Sequence, residues 1–177
     1  GLDKSNIIAG NGSDEILAFI FKAFFRSDAG AACPDVSYGF YPVFCDLFGI
    51  RYLPVPLRED FTIRTEDYAG LKENVVIANP NAQTGIYLPL AEVEKLVSQN
   101  RDRLVVVDEA YVDFGSESAV GLIEKYDNLI HLRLDRMKKV NKTDEKQRHF
   151  SFVSKYSDYF DVSDYTAGLF SMYGGRL

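Results

Sequence analysis

Cysteine is scarce in this chain of 177 residues: only Cys33 and Cys45 occur, in apolar surroundings and at no metal-ligand spacing. That argues against a metal-binding framework. With no signal peptide and no long apolar span, it points to a soluble, reducing compartment, the cytoplasm, and away from a membrane. Positive charge is in the minority, 20 Lys and Arg against 26 Asp and Glu, for a net charge of −6 and a pI near 5.0. No nucleic-acid footprint is expected over the whole surface. The tripeptides Gly-Lys-Ser and Gly-Lys-Thr are missing, which removes the usual phosphate loop of nucleotide-hydrolysing enzymes. What remains is an ordinary globular composition, 46% hydrophobic and 26% charged, enough for one buried core and one domain by default. The chain opens at Gly1 rather than Met, as expected of an excised or partial product.

The most informative stretch is Leu104-Val105-Val106-Val107-Asp108-Glu109-Ala110-Tyr111. A continuous β-branched run without polar alternation reads as a strand buried on both faces, as in the middle of a parallel sheet. Ligands of open parallel sheets lie just beyond the carboxyl ends of the strands. Asp108 is therefore a carboxylate at the floor of an expected crevice, where it needs a cation or hydrogen-bond donors to stay charged. A bare strand end with solvated acids is the alternative.

The rest of the chain alternates strands and helices. Ile7-Ile8-Ala9 is a short strand candidate. The turn Gly10-Asn11-Gly12 leads to a helix from about Ser13, capped by Ser13 or Asn11, with Ile16, Leu17, Ile20, Ala23 and Phe24 at helical spacing. A glycine turn opening a helix is either an anion site or a plain cap. Ala29 to Cys33 is a weaker strand, followed by an aromatic turn around Tyr38 and a helix from Tyr41 to Phe48 with Gly49 as its cap. Arg51 to Val55 is the next strand. A short helix is expected within Phe61 to Leu71. Val75 to Ala78 is another buried strand, ending in the turn Asn79-Pro80-Asn81-Ala82-Gln83-Thr84-Gly85. A helix from Pro89 to Val97, the Asp108 strand, a short helix up to Tyr126 and a strand from Leu129 follow. The pattern predicts an α/β fold: an open, mostly parallel sheet with helices on both faces.

Beyond His131 the character changes. Residues 131–149 carry seven Lys and Arg with little apolar periodicity, reading as a solvated tail. Asp135, Asp144 and Glu145 interrupt that basic stretch, which argues against a nucleic-acid site. The boundaries expected are 1–134 for the sheet domain and 135–177 for a divergent C-terminal segment.

Asn11-Gly12-Ser13-Asp14-Glu15, Ser37-Tyr38-Gly39-Phe40-Tyr41, Asn79 to Gly85 and Asp108-Glu109-Ala110-Tyr111 occur in this order. As an ordered set they resemble the fold-type-I pyridoxal-phosphate aminotransferases, most closely the histidinol-phosphate aminotransferases, over about residues 1–130. The resemblance implies an incomplete large domain of such an enzyme, pyridoxal 5′-phosphate as cofactor, and amino-acid and keto-acid substrates. The substrate pair would be histidinol phosphate and 2-oxoglutarate, in histidine biosynthesis, and the family is homodimeric. It implies that Asp108 pairs with the pyridine nitrogen, Tyr111 and Asn81 with the ring's phenolic oxygen, that Tyr38 stacks on the ring, and that Ser13 and Asp14 hold the phosphate.

Two departures from the family pattern stand out. Gln83 replaces the proline of the family's Asn-Pro-Thr-Gly turn, and Asn81 sits one place further from Thr84-Gly85. The family's Schiff-base lysine belongs to a Ser-Lys motif just after the strand following Asp108. Here that place reads Leu134-Asp135-Arg136-Met137-Lys138-Lys139-Val140, and Ser154-Lys155 comes too late. Lys138 is the nearest amine to the expected position. The resemblance stops near His131 as a reading-frame change or a splice to foreign sequence would make it stop. The expectation is a chain inactive on its own, with a non-catalytic domain that binds the cofactor or phosphate, or associates with other chains, as the alternative.

Overall fold

A computed structural model of the chain describes residues 6–25, 28–115 and 117–133. The C-terminal segment 135–177, including Lys138, lies outside them.

Five strands form one sheet: β1 (Ala31–Pro34), β2 (Tyr52–Val55), β3 (Asn74–Ala78), β4 (Val105–Glu109) and β5 (Leu129–Arg133). Among the described residues there are three α-helices: α1 (Ser13–Phe24), which precedes β1, α2 (Phe40–Leu47), between β1 and β2, and α3 (Leu90–Ser98), between β3 and β4. Every pairing is parallel, and the spatial order is β2-β1-β3-β4-β5. All five residues of β3 and all five of β4 are buried, as their unbroken apolar runs predict.

Alternation along the strands divides the core into two layers. Ala32, Val75, Ile77, Val105, Val107 and Leu129 share one face, packed with Val93, Leu96 and Val97 of α3. The opposite face holds Ala31, Cys33, Val76 and Val106, and Asp108 joins α2 there through Tyr41. On α1 and α2 the buried side chains Leu17, Phe21, Tyr41 and Phe44 recur at helical spacing. Phe21 packs at 5.5 Å against Phe44, the rings tilted by 41°, and stacks at 6.4 Å on Tyr41, joining the two helices.

The chain steps outward from β1 to β2, then returns to place β3 on the other side of β1. At this reversal β1 pairs with β3 only through Ala31–Asn74 and Ala32–Val75. The two carboxyl ends are then free to diverge, which opens a crevice where doubly wound sheets bind ligands.

Several local expectations are corrected. Ile7-Ile8-Ala9 is not a strand; Ile7 and Ile8 are 58% and 78% exposed, and three apolar residues without a neighbouring strand have no ladder to join. Neither Ser13 nor Asn11 caps α1. Gly12 does, at φ 88°, a backbone angle that a side chain disfavours. The helices expected within Phe61 to Leu71 and before Tyr126 are single 3₁₀ turns, Thr65–Tyr68 and Ala119–Leu122. Asp108 and Glu109 belong to β4 itself.

Leu96 is fully buried between α3 and the sheet. Leu96→Ala is expected to lower stability by about 2–5 kcal/mol through lost burial and the residual cavity. Urea unfolding followed by circular dichroism measures it; a loss under 1 kcal/mol would mean that this layer is loosely packed.

Candidate cofactor site

Three strand ends and one helix start meet at the crevice. Ser13 opens α1, Tyr38 lies in the turn after β1, Ala78 ends β3, Asp108 lies near the end of β4, and Ala110 and Tyr111 follow it; with Ala82 they line a cavity of about 70 Å³. Ser13, Tyr38, Asp108 and Tyr111, four residues singled out from the sequence, are thus brought together although 98 positions separate the first from the last.

Asp108 is the chemical centre. Its side chain lies on the α2 face of the sheet and is only 5% exposed. The Tyr41 hydroxyl donates to Oδ2 at 2.9 Å, and the Ala110 N–H donates to Oδ1 at 3.2 Å. Both donors are neutral. Burial raises the carboxyl above the ordinary aspartate range, and these two hydrogen bonds only partly offset it; the charge of Asp14 pushes the same way as burial. A cationic N–H at the cavity would be strongly favoured beside such a group. Burial, together with the neighbouring Asp108 charge and hydrogen bond, also lifts the Tyr41 hydroxyl well above its usual value, so it remains a donor.

Asp14 belongs to the same cluster. The Tyr38 hydroxyl donates to its Oδ1 at 2.8 Å, which ties the aromatic turn to the first turn of α1. The Tyr38 ring lies 5.7 Å from Phe40, nearly parallel, and edge-on to Tyr41 at 5.6 Å. The N-cap Gly12 has no side chain to offer, so among the described residues the first-turn N–H groups of α1 have no N-cap side-chain acceptor at the positive end of the helix dipole beside Ser13. An anion is attracted there, within a cavity's width of Asp108.

Asn81 stands apart. It is 3% exposed, does not line this cavity, and lies instead on a larger one of about 360 Å³ with Thr84, Arg58 and Tyr87. Its Nδ2 donates to the Val36 carbonyl at 2.7 Å, and its Oδ1 accepts from the Gln83 N–H at 3.3 Å. This amide therefore fastens the turn after β3 to the turn that carries Tyr38. Asn79 does related work one turn earlier, exchanging two hydrogen bonds with the Leu88 backbone.

Tyr41 and Glu109 were not singled out as site residues in the sequence. Tyr41 sits three residues after Tyr38, one helical turn along, and only the fold aims its hydroxyl at Asp108. Glu109 is fully buried on the other face of β4, where it accepts from the Ala119 N–H, the Ser118 hydroxyl and His131.

Residues 1–133 match the family model for aminotransferase class I and II. Among curated proteins, the histidinol-phosphate aminotransferase of Pseudomonas putida is 51% identical over 130 residues, 73% of this chain and 37% of that protein. The Acinetobacter baumannii enzyme of the same name is 53% identical over 129 residues, 73% of this chain and 36% of its own length. This chain therefore spans little more than a third of the length of the relatives it matches. Among solved structures, the histidinol-phosphate aminotransferase of Clostridium acetobutylicum superposes with a TM-score of 0.63 at 25% identity, covering 70% of this chain and 38% of that one. The Sinorhizobium meliloti enzyme of that name, in complex with pyridoxal 5′-phosphate, shares the fold with a TM-score of 0.59 at 23% identity, over 67% of this chain and 34% of its own.

Asp108 binds its proton more tightly in the folded chain than in the unfolded one. Its contribution to stability is therefore complete at low pH and is lost as pH rises from about 4 through the raised value. Asp108→Asn cannot ionise. The stability of the variant relative to the parent is expected to increase between pH 4 and 8 in urea titrations without cofactor; a difference independent of pH would refute the raised carboxyl. Tyr41→Phe removes a buried donor and is expected to cost about 1–3 kcal/mol in the same assay at pH 8.

Proposed function

Because the chain belongs to the class I and II aminotransferases, we propose that it forms the cofactor-holding part of an amino-group transfer enzyme. The whole enzyme would act on histidinol phosphate and 2-oxoglutarate, as the names of the curated relatives suggest. The cofactor is pyridoxal 5′-phosphate. When bound, its protonated pyridine ring serves as an electron sink for charge developing at the α-carbon of the amino acid.

One observation carries the reading: a buried Asp108, served among the described residues by neutral donors alone, faces the same small cavity as Ser13 at the N-terminus of α1. The donor set suits a molecule with a cationic ring nitrogen at one end and a phosphate at the other. Asp108 would accept a hydrogen bond from the ring nitrogen and keep it protonated. Ser13 would hold the phosphate through its hydroxyl and N–H. Asp14 would contribute its N–H only, because its carboxylate repels an anion and is engaged by Tyr38. Tyr38 would supply a ring face, and Tyr111, 48% exposed on the same cavity, would hydrogen-bond the phenolic oxygen. Asn81 would set the Tyr38 turn in place.

The stretch directly after β5, Leu134 to Val140, lacks Ser-Lys, and Ser154-Lys155 comes too late, so this chain has no Ser-Lys amine at the position from which the family moves the α-proton. Lys138 is the nearest amine in sequence. The chain by itself is therefore proposed to bind the cofactor without turning over an amino donor. The missing Ser-Lys equally favours a second reading, a domain that only binds cofactor or phosphate, or only associates with other chains. Homodimerisation and a cytoplasmic location belong to the proposal for the whole enzyme.

Equilibrium dialysis with pyridoxal 5′-phosphate tests the reading. Asp108→Asn is expected to weaken binding about tenfold or more, the loss of one charge-assisted hydrogen bond. Inorganic phosphate competing as well as the cofactor would favour the second reading instead. No keto acid should form from an amino donor. Keto acid production that disappears in Lys138→Ala would overturn the claim of inactivity.

A further inference from the structure

Behind Asp108, on the opposite face of β4, lies a buried acid–imidazole pair. Glu109 is fully buried and His131 nearly so, with side-chain exposures of 0% and 7%, and His131 Nε2 lies 2.6 Å from Glu109 Oε2. Ser118 joins them: its hydroxyl donates to Glu109 Oε2 at 2.7 Å and lies 3.3 Å from His131 Nε2. The Ala119 N–H donates to Glu109 Oε1 at 2.6 Å. The register places His131 opposite Val107, so the imidazole is one residue from Asp108 along the ladder.

Three buried donors satisfy Glu109, so the pair bears on its surroundings through its charge. Little water separates that charge from Asp108, since both faces of β4 are buried, and charges interact strongly through such an interior.

Resting on the cofactor reading above, we propose that Glu109 and His131 are positioning residues for Asp108: the imidazole held against Glu109 offsets that carboxylate's charge across the sheet and leaves Asp108 free to act as the anion facing the cofactor's ring nitrogen. The charged and titratable groups around Asp108 are Asp14 from α1, Tyr38 from the turn before α2, Tyr41 from α2, and His131 and Glu109 from the far face. Beyond burial, which raises the Asp108 carboxyl, Tyr41 and Ala110 lower it, Asp14 raises it, and His131 lowers it. His131 is thus the one positive influence in the set. Glu109 stays ionised despite burial, because His131, Ser118 and Ala119 together hold its carboxyl below the ordinary range.

Two substitutions separate charge from scaffolding. His131→Gln keeps a donor for Glu109 but cannot carry a proton charge. Glu109→Gln removes the negative partner and leaves the imidazole. Carbon-13 titration of the Asp108 carboxyl in the full chain, without cofactor, is the primary readout. The midpoint is expected to rise in His131→Gln and fall in Glu109→Gln; a purely structural role would move both the same way or neither, and either result overturns the proposal. The second readout compares pyridoxal 5′-phosphate with an analogue whose ring nitrogen is replaced by carbon. The preference of the parent chain for the natural ring is expected to drop about fivefold in His131→Gln, with affinity for the carbon analogue unchanged. A parent chain without that preference would sink the cofactor reading, while the carboxyl titration would still decide the role of the pair.

Discussion

A carboxylate placed in a protein interior has to be compensated, and Asp108 is compensated only in part. It sits near the end of a fully buried strand with a tyrosine hydroxyl and one backbone N–H as its donors. Much of the local architecture follows from that group. Tyr41 must be buried and aimed at it, which fixes the rotation of α2, and the aromatic cluster of Phe21, Phe44 and Tyr41 holds that rotation. The raised carboxyl is a latent affinity: a site that is uncomfortable when empty favours the ligand that supplies its missing charge.

The sheet topology turns this one group into a site. Reversal of strand order between β1 and β3 parts their carboxyl ends, and turns from β1, β3 and β4 then converge on the gap. Side-chain amides close the loops over it. Asn81 bridges the turns after β3 and β1, and Asn79 is tied to the backbone at Leu88, so neither turn relies on regular secondary structure for its shape. The helix that brings Ser13 contributes a second, opposite polarity, and a ligand with a positive end and a negative end is the natural occupant.

Alternation of side chains along β4 has a further consequence. Asp108 and Glu109 are adjacent in sequence yet face opposite layers. Glu109 is satisfied by three donors; Asp108 is satisfied by two and faces a cavity. Two neighbouring acids therefore have different tasks because one layer is filled with hydrogen-bond donors and the other is left open to a ligand.

The strands β3 and β4, the helices α1 to α3 and the parallel class of the sheet were legible from the sequence, because unbroken Val and Ile runs and 3.6-residue periodicity are local signals of burial. Candidate residues at strand ends were legible for the same reason: a polar residue just beyond a buried run has few places to go. The strand guess at Ile7 failed because pairing needs a neighbour that local sequence does not reveal, and the cap at Gly12 was missed because side-chain preference for caps ignores a backbone angle set by the approach to the helix. The sequence by itself determined which segments bury and in what order. Only the tertiary structure decided that Tyr41 serves Asp108, that Asn81 ties turns together away from the small cavity, and that His131 lies on Glu109, because each depends on strand order and register, which bring together groups 67, 45 and 22 residues apart.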